Sequence, residues 1–319
     1  MQKLTRILSV VDPAAAVQPA LHRAAWLATR TGAKLDLLIC HYDEYLVGDR
    51  LFDSHSLHDA RQAVLDGFVQ TLELLAAPLR HRGLDVTATA IWNHPEYEGI
   101  ARHAEQTGAG IVFKGTEHHS ALARALLRNA DWALIRACHV PLWLVKPIAF
   151  PEKPLFIAAI DPMNEHDKPA ALDDEILCVG NSLASLTGAE LQVFHSYDPR
   201  TAAATAMANA YIPVSLPLAE IEREMRLQHE IRFREITGFH RIPRDKRHLV
   251  RGLAYQELPA LAKKLDASVV IMGAVARNRL ERLFIGATAE RALEHLPCDL
   301  LIVKPDWASG SRSAPREVA

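Results

Sequence analysis

The sequence predicts an α/β protein of two tandem domains, each a five-stranded parallel sheet with helices on both faces. Three observations support this fold class: the chain length, an internal repeat, and the alternation of short apolar runs with helical periodicity. The chain has 319 residues, whereas single domains usually span about 100–200 residues. Strands that alternate with helices indicate a parallel sheet that the helices cover.

An internal repeat divides the chain into two copies. Three segments recur in the same order, and the pairs are LATRTGAKL at 27–35 with LASLTGAEL at 183–191, GIVFKG at 110–115 with SVVIMG at 268–273, and VPLWLVKP at 140–147 with CDLLIVKP at 298–305. The repeat predicts a first domain over residues 1–149, a second over 150–306, and a flexible tail over 307–319.

Each copy shows the same series of predicted elements. The first strand is a short apolar run that ends in Asp-Pro, at Ile7–Pro13 and at Phe156–Pro162, which is typical of a buried parallel strand. The helix that follows ends at Gly32 or Gly188, a glycine in the C-cap position. Ligands of such sheets bind beyond the carboxyl ends of the strands, near the switch point in strand order. The residues that follow the strands are therefore the candidates for a binding site.

A glycine-containing loop follows the fourth strand of the second copy. Gly273 ends the strand and allows the backbone to approach a ligand closely. Gly286 opens the last helix, where free N–H groups and the positive end of the dipole favour an anion. Arg277 and Arg279 add positive charge between them. The pattern indicates a phosphate-binding loop, and the alternative is that the two glycines only permit turns.

These residues resemble the universal stress protein (UspA) family, in particular its tandem-domain, E-type members, over nearly the whole chain. The family has a Rossmann-like (HUP) fold, and its nucleotide-binding members carry Gly, two residues, Gly, nine residues, and Gly followed by Ser or Thr. This chain has Gly273, Ala276 and Gly286 at that spacing. Ala287 stands where the hydroxyl residue is expected, and Thr288 supplies a hydroxyl one residue later.

The resemblance implies the roles of three further residues in the second domain. Arg277 matches the family's basic residue, Asp161 the aspartate that contacts the nucleoside, and Ser196 the position whose backbone contacts adenine. The implied ligand is ATP or another adenine nucleotide, with or without Mg²⁺, in the second domain only. Two departures argue against tight binding, because the methyl group of Ala276 crowds the phosphates and Ala287 lacks the hydroxyl.

The first copy departs further from the family pattern. Gly115, His118 and Arg128 occupy the three glycine positions, and Asn129 follows them. Two of the three positions carry bulky side chains, which fill the space that phosphates would need. We therefore expect no nucleotide binding in the first domain, and we interpret Asp12 as a turn residue at a strand end.

Metal and catalytic sites are the next alternatives. His118 and His119 are the candidates for a zinc site, but adjacent histidines cannot readily face one ion, and 16 histidines make chance clusters common. We therefore predict no metal site. The chain lacks the GxxxxGK[ST], GxSxG and HExxH motifs. We predict no catalytic residues and, at most, weak ATP hydrolysis.

Composition bounds the compartment and the partners. The formal net charge is −2, so no bulk attraction to nucleic acid or to an anionic membrane is expected. No run of 18 apolar residues indicates a membrane span. Four cysteines without CxxC spacing lie mostly in apolar stretches, and they are Cys40, Cys138, Cys178 and Cys298. Buried, reduced thiols and a cytoplasmic location are the expectation.

The resemblance implies a function in the general stress response, including tolerance of DNA-damaging and oxidative conditions. The expected output is a binding or signalling state without catalytic turnover. The alternative is a scaffold, or a protein that holds an apolar or acyl ligand against the alanine-rich segment 202–218. The last strands of the two copies are expected to pair within one chain, as an intramolecular pseudo-dimer. A homodimer of whole chains stays open.

Overall fold

The computed structural model describes residues 4–46, 54–116, 129–163, 171–200, 218–276, 283–284 and 295–305. The chain forms two compact units. The first unit contains residues 2–150 and 299–302, and the second contains residue 1 together with 151–298 and 303–319. Four residues of the second sequence copy therefore belong to the first unit.

The first unit contains a six-stranded sheet with the order β3-β2-β1-β4-β5-β12. Its strands are β1 (Arg6–Val10), β2 (Lys34–His41), β3 (Val86–Trp92), β4 (Ile111–Gly115), β5 (Leu142–Val145) and β12 (Asp299–Val303). Five strands are parallel, and β12 runs antiparallel to β5. The helices are α1 (Pro19–Thr31), α2 (Ser54–His81), α3 (Glu96–Thr107) and α4 (Asn129–Ala137), with a 3₁₀ turn at Glu44–Leu46.

The second unit contains a parallel sheet with the order β9-β6-β7-β8. Its strands are β6 (Leu155–Ala159), β7 (Glu190–Tyr197), β8 (Arg247–Arg251) and β9 (Val269–Gly273), and a short antiparallel ladder joins β10 (Val275–Ala276) to β11 (Leu283–Phe284). The helices are α5 (Ala171–Thr187), α6 (Leu218–Phe239) and α7 (Ala254–Lys264), with a 3₁₀ turn at Arg244–Lys246. None of the described helices is both long enough and apolar enough to cross a membrane.

The predicted α/β architecture with mostly parallel sheets is confirmed, and so is the expected pairing of the last strands of the two copies. The fifth strand of the second copy, β12, lies beside β5 in the first unit, with Leu301 opposite Trp143. The first unit therefore has six strands where five were expected. The reason is that both final strands are buried on both faces and each gains a neighbour by pairing with the other.

The two glycines that were predicted to end the first helix of each copy do so. Gly32 has φ = 67° and its N–H donates to the Ala28 carbonyl at 2.9 Å. Gly188 has φ = 71° and donates to the Ala184 carbonyl at 2.9 Å. Residues with a Cβ rarely adopt this left-handed conformation, so glycine stops the helix at little cost.

The prediction of buried cysteines is wrong for Cys178. Cys138 and Cys298 are buried and Cys40 is half-buried, whereas Cys178 is exposed on α5. Cys178 follows Asp174 by four residues, and both lie on the solvent-facing stripe of that helix. The apolar neighbours of Cys178 in sequence belong to the opposite, buried face, which misled the expectation. None of these four cysteines, all of them described by the structure, forms a disulfide.

Candidate functional site

The candidate site lies at the carboxyl edge of the second unit. Ala159 of β6 pairs with Phe194 of β7, and Asp161 and Ser196 each follow two residues beyond that pair. Strand β6 has β7 on one side and β9 on the other. The chain passes from β6 to β7 and β8 and then returns to β9, so the end of β6 marks the switch point of the sheet. Asp161 therefore stands where such folds bind ligands.

Gly273 ends β9 at the same edge, two residues beyond Ile271, which pairs with Ala158 of β6. A Cβ atom at position 273 would lie 2.5 Å from Cδ2 of Leu172 on α5. Glycine is needed here because the strand end packs directly against that side chain. That a ligand approaches the backbone at this glycine stays a prediction, and the packing of Leu172 is a further reason for a glycine here.

Ala276, at the second glycine position of the family motif, lies in β10 and pairs with Leu283 of β11. A strand backbone is one that any residue adopts, so alanine in place of glycine costs no backbone strain there. Several predicted site residues lie outside the described ranges, namely Arg277, Gly286, Ala287 and Thr288 of the loop, and His118 and His119 of the first copy.

Carboxylates gather around the switch point. The N–H of Asp161 donates to Oδ1 of Asp173 at 3.1 Å, and the side chain of Asp173 is buried in the first turn of α5. Glu175, two residues further along this helix, is also buried. A carboxylate is favourable near a helix N-terminus because the free N–H groups there carry partial positive charge. A hydrogen bond thus links Asp161 to Asp173 at this edge, and carboxylates there suit hydroxyl donors of a ligand better than its phosphates.

A buried histidine pair lies beneath this edge. Nδ1 of His195 is 3.2 Å from the carbonyl oxygen of Ile160, and Nε2 is 2.7 Å from Nδ1 of His229 on α6. A carbonyl only accepts, so Nδ1 of His195 carries the hydrogen and, in the neutral pair, Nε2 accepts from His229. The ring of Tyr197 packs on His229, with ring centres 5.3 Å apart. The pair thereby connects β7 and α6 to Ile160, the residue that lies between β6 and Asp161.

The histidine pair was missed in the sequence. The available signal was a histidine inside the apolar strand LQVFHSY, at the position where the first copy has Ile39. Its partner, His229, lies among charged residues of a helix, and nothing in the sequence connects the two.

The corresponding edge of the first unit has different contents. The carboxylate of Asp12 accepts from the N–H of Ala14 at 2.9 Å, and Gln18 donates to the Asp12 carbonyl at 2.6 Å. Asp12 is exposed, and its side chain holds the local turn. The interpretation of Asp12 as a turn residue is confirmed.

An ion pair joins the end of β4 to the start of α4 in the first unit. Nζ of Lys114 lies 2.7 Å from Oδ1 of Asp131, whose side chain is only 3% exposed. The second copy has Met272 and Ala289 at these positions. Asp131 lies in the first helical turn, so the protein itself supplies the anion that this helix end favours. Lysine inside the apolar strand GIVFKG was the sequence signal, and it was overlooked.

Aromatic rings close the outer part of the same edge. His41 and Trp92, at the ends of β2 and β3, contact edge to face with centroids 5.6 Å apart, and the ring of Tyr42 lies 4.1 Å from that of His94. The ends of β2 and β3 are thus packed against aromatic rings of the first unit itself. Among the described residues, no group of three or more His, Cys, Asp or Glu side chains is placed to hold a metal ion.

The repeated unit, with its parallel sheet and its switch-point edge, defines a tandem α/β protein of the Rossmann-like class. The model of the Universal stress protein family matches residues 3–146 and again residues 164–304. The chain belongs to the universal stress protein family and contains its domain twice.

Curated relatives extend over almost the same length. The chain is 28% identical over 309 residues to Universal stress protein E of Escherichia coli K12, covering 96% of each protein. It is 26% identical to Universal stress protein E of Photorhabdus laumondii, again covering 96% of each, and 25% identical to a Universal stress protein E homolog of Haemophilus influenzae, covering 95% of this chain and 98% of the relative.

Solved structures give the same result for the fold. A putative universal stress protein from Pseudomonas aeruginosa UCBPP-PA14 aligns with a TM-score of 0.72 at 26% identity, covering 96% of each chain. A universal stress protein from Archaeoglobus fulgidus DSM 4304 aligns with a TM-score of 0.63 at 14% identity, covering 95% of this chain and 99% of that one. The second likeness bears on the fold alone.

Proposed function

We propose that the second unit binds an adenine nucleotide at its carboxyl edge and that the protein acts in the stress response through this bound state. The observation that supports the proposal is the position of Asp161 and Ser196, side by side at the switch point of the sheet. In the family's nucleotide-binding members, the matching aspartate contacts the nucleoside and the matching backbone contacts adenine. The Asp161 carboxylate would accept hydrogen bonds from the ribose hydroxyls.

The phosphate half of the proposed site consists of Arg277, Gly286, Ala287 and Thr288. Leu172 packs beside Gly273, so the phosphates would rest on the helix that the sequence predicts to open at Gly286 and not on the strand end. Free N–H groups at that helix start, with Arg277 and the Thr288 hydroxyl, would bind them. Mg²⁺, where present, would accompany the phosphates.

The first unit is proposed to bind no nucleotide. Asp131 already supplies a carboxylate at the start of α4, and Lys114 neutralises it at 2.7 Å. A phosphate would meet that buried carboxylate and would have to compete for the same lysine. His118 and Arg128 at the glycine positions act in the same direction. The first unit would serve as a structural or partner-binding copy.

Calorimetric titration of the whole protein with ATP, with and without Mg²⁺, tests this assignment. We expect one site per chain, lost in Gly286→Trp and kept in Gly115→Trp. Gly115 is the control in the first unit, because it is the counterpart of the motif glycine Gly273 and a Cβ atom there meets nothing within 4 Å. The proposal fails if wild type gives no binding, or if Gly286→Trp binds as wild type does.

A second candidate function is a scaffold that has lost nucleotide binding or that holds an apolar or acyl ligand. The close packing of Leu172 on Gly273 favours it, because this packing removes space at the strand end. The alanine-rich segment that would form an apolar wall lies, except for Leu218, outside the described residues. Native mass spectrometry of freshly purified protein distinguishes the candidates: a copurified nucleotide mass supports the first, and a lipid-like mass supports the second.

We propose binding without turnover, in the cytoplasm. The sequence contains none of the GxxxxGK[ST], GxSxG and HExxH motifs, and cysteines without a disulfide suit a reducing compartment. Steady ATP hydrolysis that Arg277→Ala or Thr288→Ala abolishes would contradict the proposal, since it would make the loop a catalytic site.

A further inference from the structure

Asp299, the first residue of β12, is a fully buried carboxylate in the first unit. It accepts three hydrogen bonds, from Nε of Arg23 at 3.1 Å, from Nε1 of Trp143 at 3.1 Å, and from the N–H of Lys146 at 2.9 Å. Arg23 is itself 4% exposed and also donates from Nη2 to the carbonyl of Ile148 at 2.7 Å. One helix, one strand and the segment after β5 thus converge on a single carboxylate.

Aromatic rings cover this ion pair. The guanidinium of Arg23 lies 4.4 Å from the ring centre of Phe150, and Phe150 lies 6.4 Å from the ring of Trp143. Phe113 stacks on Trp143 at 4.9 Å. Burial raises the pKa of Asp299, against the opposing effects of Arg23 and the two N–H donors. A buried pair of this kind adds little net stability, but removing one partner is costly, so it can select between alternative pairings.

Only the pairing of β5 with β12 can assemble this cluster, because the two copies carry different residues at the positions of its side chains. The corresponding positions in the two copies are Arg23 with Val179, Pro141 with Asp299, and Trp143 with Leu301. The first copy therefore has the cation and the indole, and the second copy has the carboxylate. The pairing of β5 with β12 brings them together, with Trp143 opposite Leu301.

Pairing of two identical strands from two chains would break the cluster. If β5 paired with β5, Pro141 would replace Asp299, the buried Arg23 would lose its anion, and Trp143 would face Trp143. If β12 paired with β12, Asp299 would meet the side chains of Val179 and Leu301, neither of which donates a hydrogen bond. Each arrangement leaves a buried charge without a partner, which costs several kcal/mol in general.

We propose that Arg23, Trp143 and the N–H of Lys146 form a carboxylate-recognition site that selects β12 as the partner of β5 and excludes pairing of like strands between two copies of the chain. The recognised group is an aspartate on an antiparallel strand, and Asp299 is the residue that determines the specificity. This inference does not depend on nucleotide binding.

Thermal unfolding of the whole chain tests the energetic part. Asp299→Leu leaves Arg23 buried without an anion, so the Tm should fall by roughly 10 °C. The double variant Arg23→Met with Asp299→Leu should recover most of that loss, because two apolar side chains then fill the space. The matched control is Asp85→Leu, which removes the exposed ion pair of Asp85 with Lys34 and should change the Tm by at most ~3 °C.

Oxidative cross-linking tests the selection itself. In a β12–β12 pair, residue 301 would face residue 301 of the second chain, so a Leu301→Cys variant reports that pairing. In the wild-type background, with Cys178→Ser to remove the exposed thiol, we expect no two-chain product on a non-reducing gel. In the Arg23→Met, Asp299→Leu background we expect a two-chain product that requires the Leu301→Cys substitution. Equal amounts in both backgrounds, or an unchanged Tm for Asp299→Leu, would overturn the proposal.

Discussion

The carboxyl edges of the two units have the same strand topology and different contents. In the first unit, Lys114 and Asp131 neutralise each other across the strand end and the helix start. In the second unit, the matching strand end is Gly273 packed against Leu172, and the buried Asp173 carboxylate accepts the N–H of Asp161. The order of the strands fixes where a ligand could lie, and a few side chains that follow the strands decide what could lie there.

The edges also share one packing feature. The ring at the end of the second strand contacts a ring of the long helix in both copies: His41 with Phe68 at 4.8 Å, and Tyr197 with His229 at 5.3 Å. The ring contact lies at the same place in both copies, but its chemistry differs. In the second unit His229 also hydrogen-bonds to the buried His195, and this hydrogen-bonded pair has no counterpart at Ile39 in the first. The same ring packing is therefore compatible with different residues at these positions, and those residues change the polarity of the edge.

The largest expected effect comes from giving the first edge the residue of the second. Lys114→Met introduces the counterpart of Met272 and removes the cation beside the buried Asp131 carboxylate. We expect the free energy of unfolding to fall by roughly 3 kcal/mol, the cost of breaking a buried ion pair. Urea unfolding of the whole chain, followed by circular dichroism, measures the change.

The double variant Lys114→Met with Asp131→Ala is the control for this experiment. It gives both positions the residues of the second copy, Met272 and Ala289, and it leaves no buried charge from this pair. Stability should return most of the way to wild type. If both variants unfold at the wild-type urea concentration, the ion pair is not what closes the first edge.

A smaller effect is expected at the two strand-end glycines. Gly273→Ala places a Cβ 2.5 Å from Leu172, so the free energy of unfolding should fall by about 1–3 kcal/mol. Gly115→Ala, at the equivalent position of the first copy, meets nothing within 4 Å and should change it by less than ~0.5 kcal/mol. The same urea experiment compares them. Equal losses would mean that the packing of Leu172 does not distinguish the edges.

Local patterns in the sequence predicted most of the fold. Apolar runs indicated the strands, and Gly32 and Gly188 indicated the helix ends, because both signals lie within a few residues. The contents of the edges could not be predicted, because they depend on side chains that meet only after folding. Leu172 and Gly273 are far apart in the chain, and the Asp299 carboxylate meets Arg23 across 276 residues.

Within the candidate site, the sequence placed Asp161, Ser196 and Gly273 at one edge, as the structure does. It could not reveal the contact of Gly273 with Leu172, because a glycine at a strand end has the same appearance whether a ligand or a neighbouring leucine needs the space. It also missed the buried ion pair of the first unit, since a lysine in a strand is usually interpreted as solvent-facing.

The pH dependence of stability distinguishes Asp299 from ordinary carboxylates. Burial raises its pKa above the usual value of 3.8, so the folded state takes up this proton before the unfolded state does. Its contribution to the free energy of unfolding therefore rises as the pH falls from the raised pKa towards 3.8. Glu190, whose pKa Lys246 and Gln192 lower, behaves in the opposite way.

The measurement is the difference in unfolding free energy between wild type and Asp299→Asn across this range. The difference should shift in favour of wild type on acidification, by about 1.4 kcal/mol for each unit by which the pKa is raised. The first copy has Pro141 at this position and makes no such contribution. A difference that is independent of pH would show that Asp299 has an ordinary pKa and that the surrounding donors fully offset its burial.

The last comparison concerns the labelling rate of Cys40, the first-copy counterpart of Ser196, and involves no change in stability. Its thiol donates to the Glu96 carbonyl at 3.4 Å, and burial raises its pKa to about 12. The reactive thiolate is then about one part in 10,000 at pH 8. Cys178 is exposed, although burial and Asp174 raise its pKa too. Iodoacetamide should therefore label Cys178 at least tenfold faster than Cys40, as followed by peptide mass mapping.

Unfolding in guanidinium should make all four cysteines react alike, which is the control for intrinsic reactivity. Rapid labelling of Cys40 in the folded protein would mean that the end of β2 opens away from α3. The first edge would then be accessible at the position that Ser196 occupies in the second copy. Slow labelling would mean that the Cys40 thiol stays bonded to the Glu96 carbonyl in the folded protein. The two copies would then differ in the side chains at the end of the second strand, where Ser196 lies beside Asp161 at the switch point.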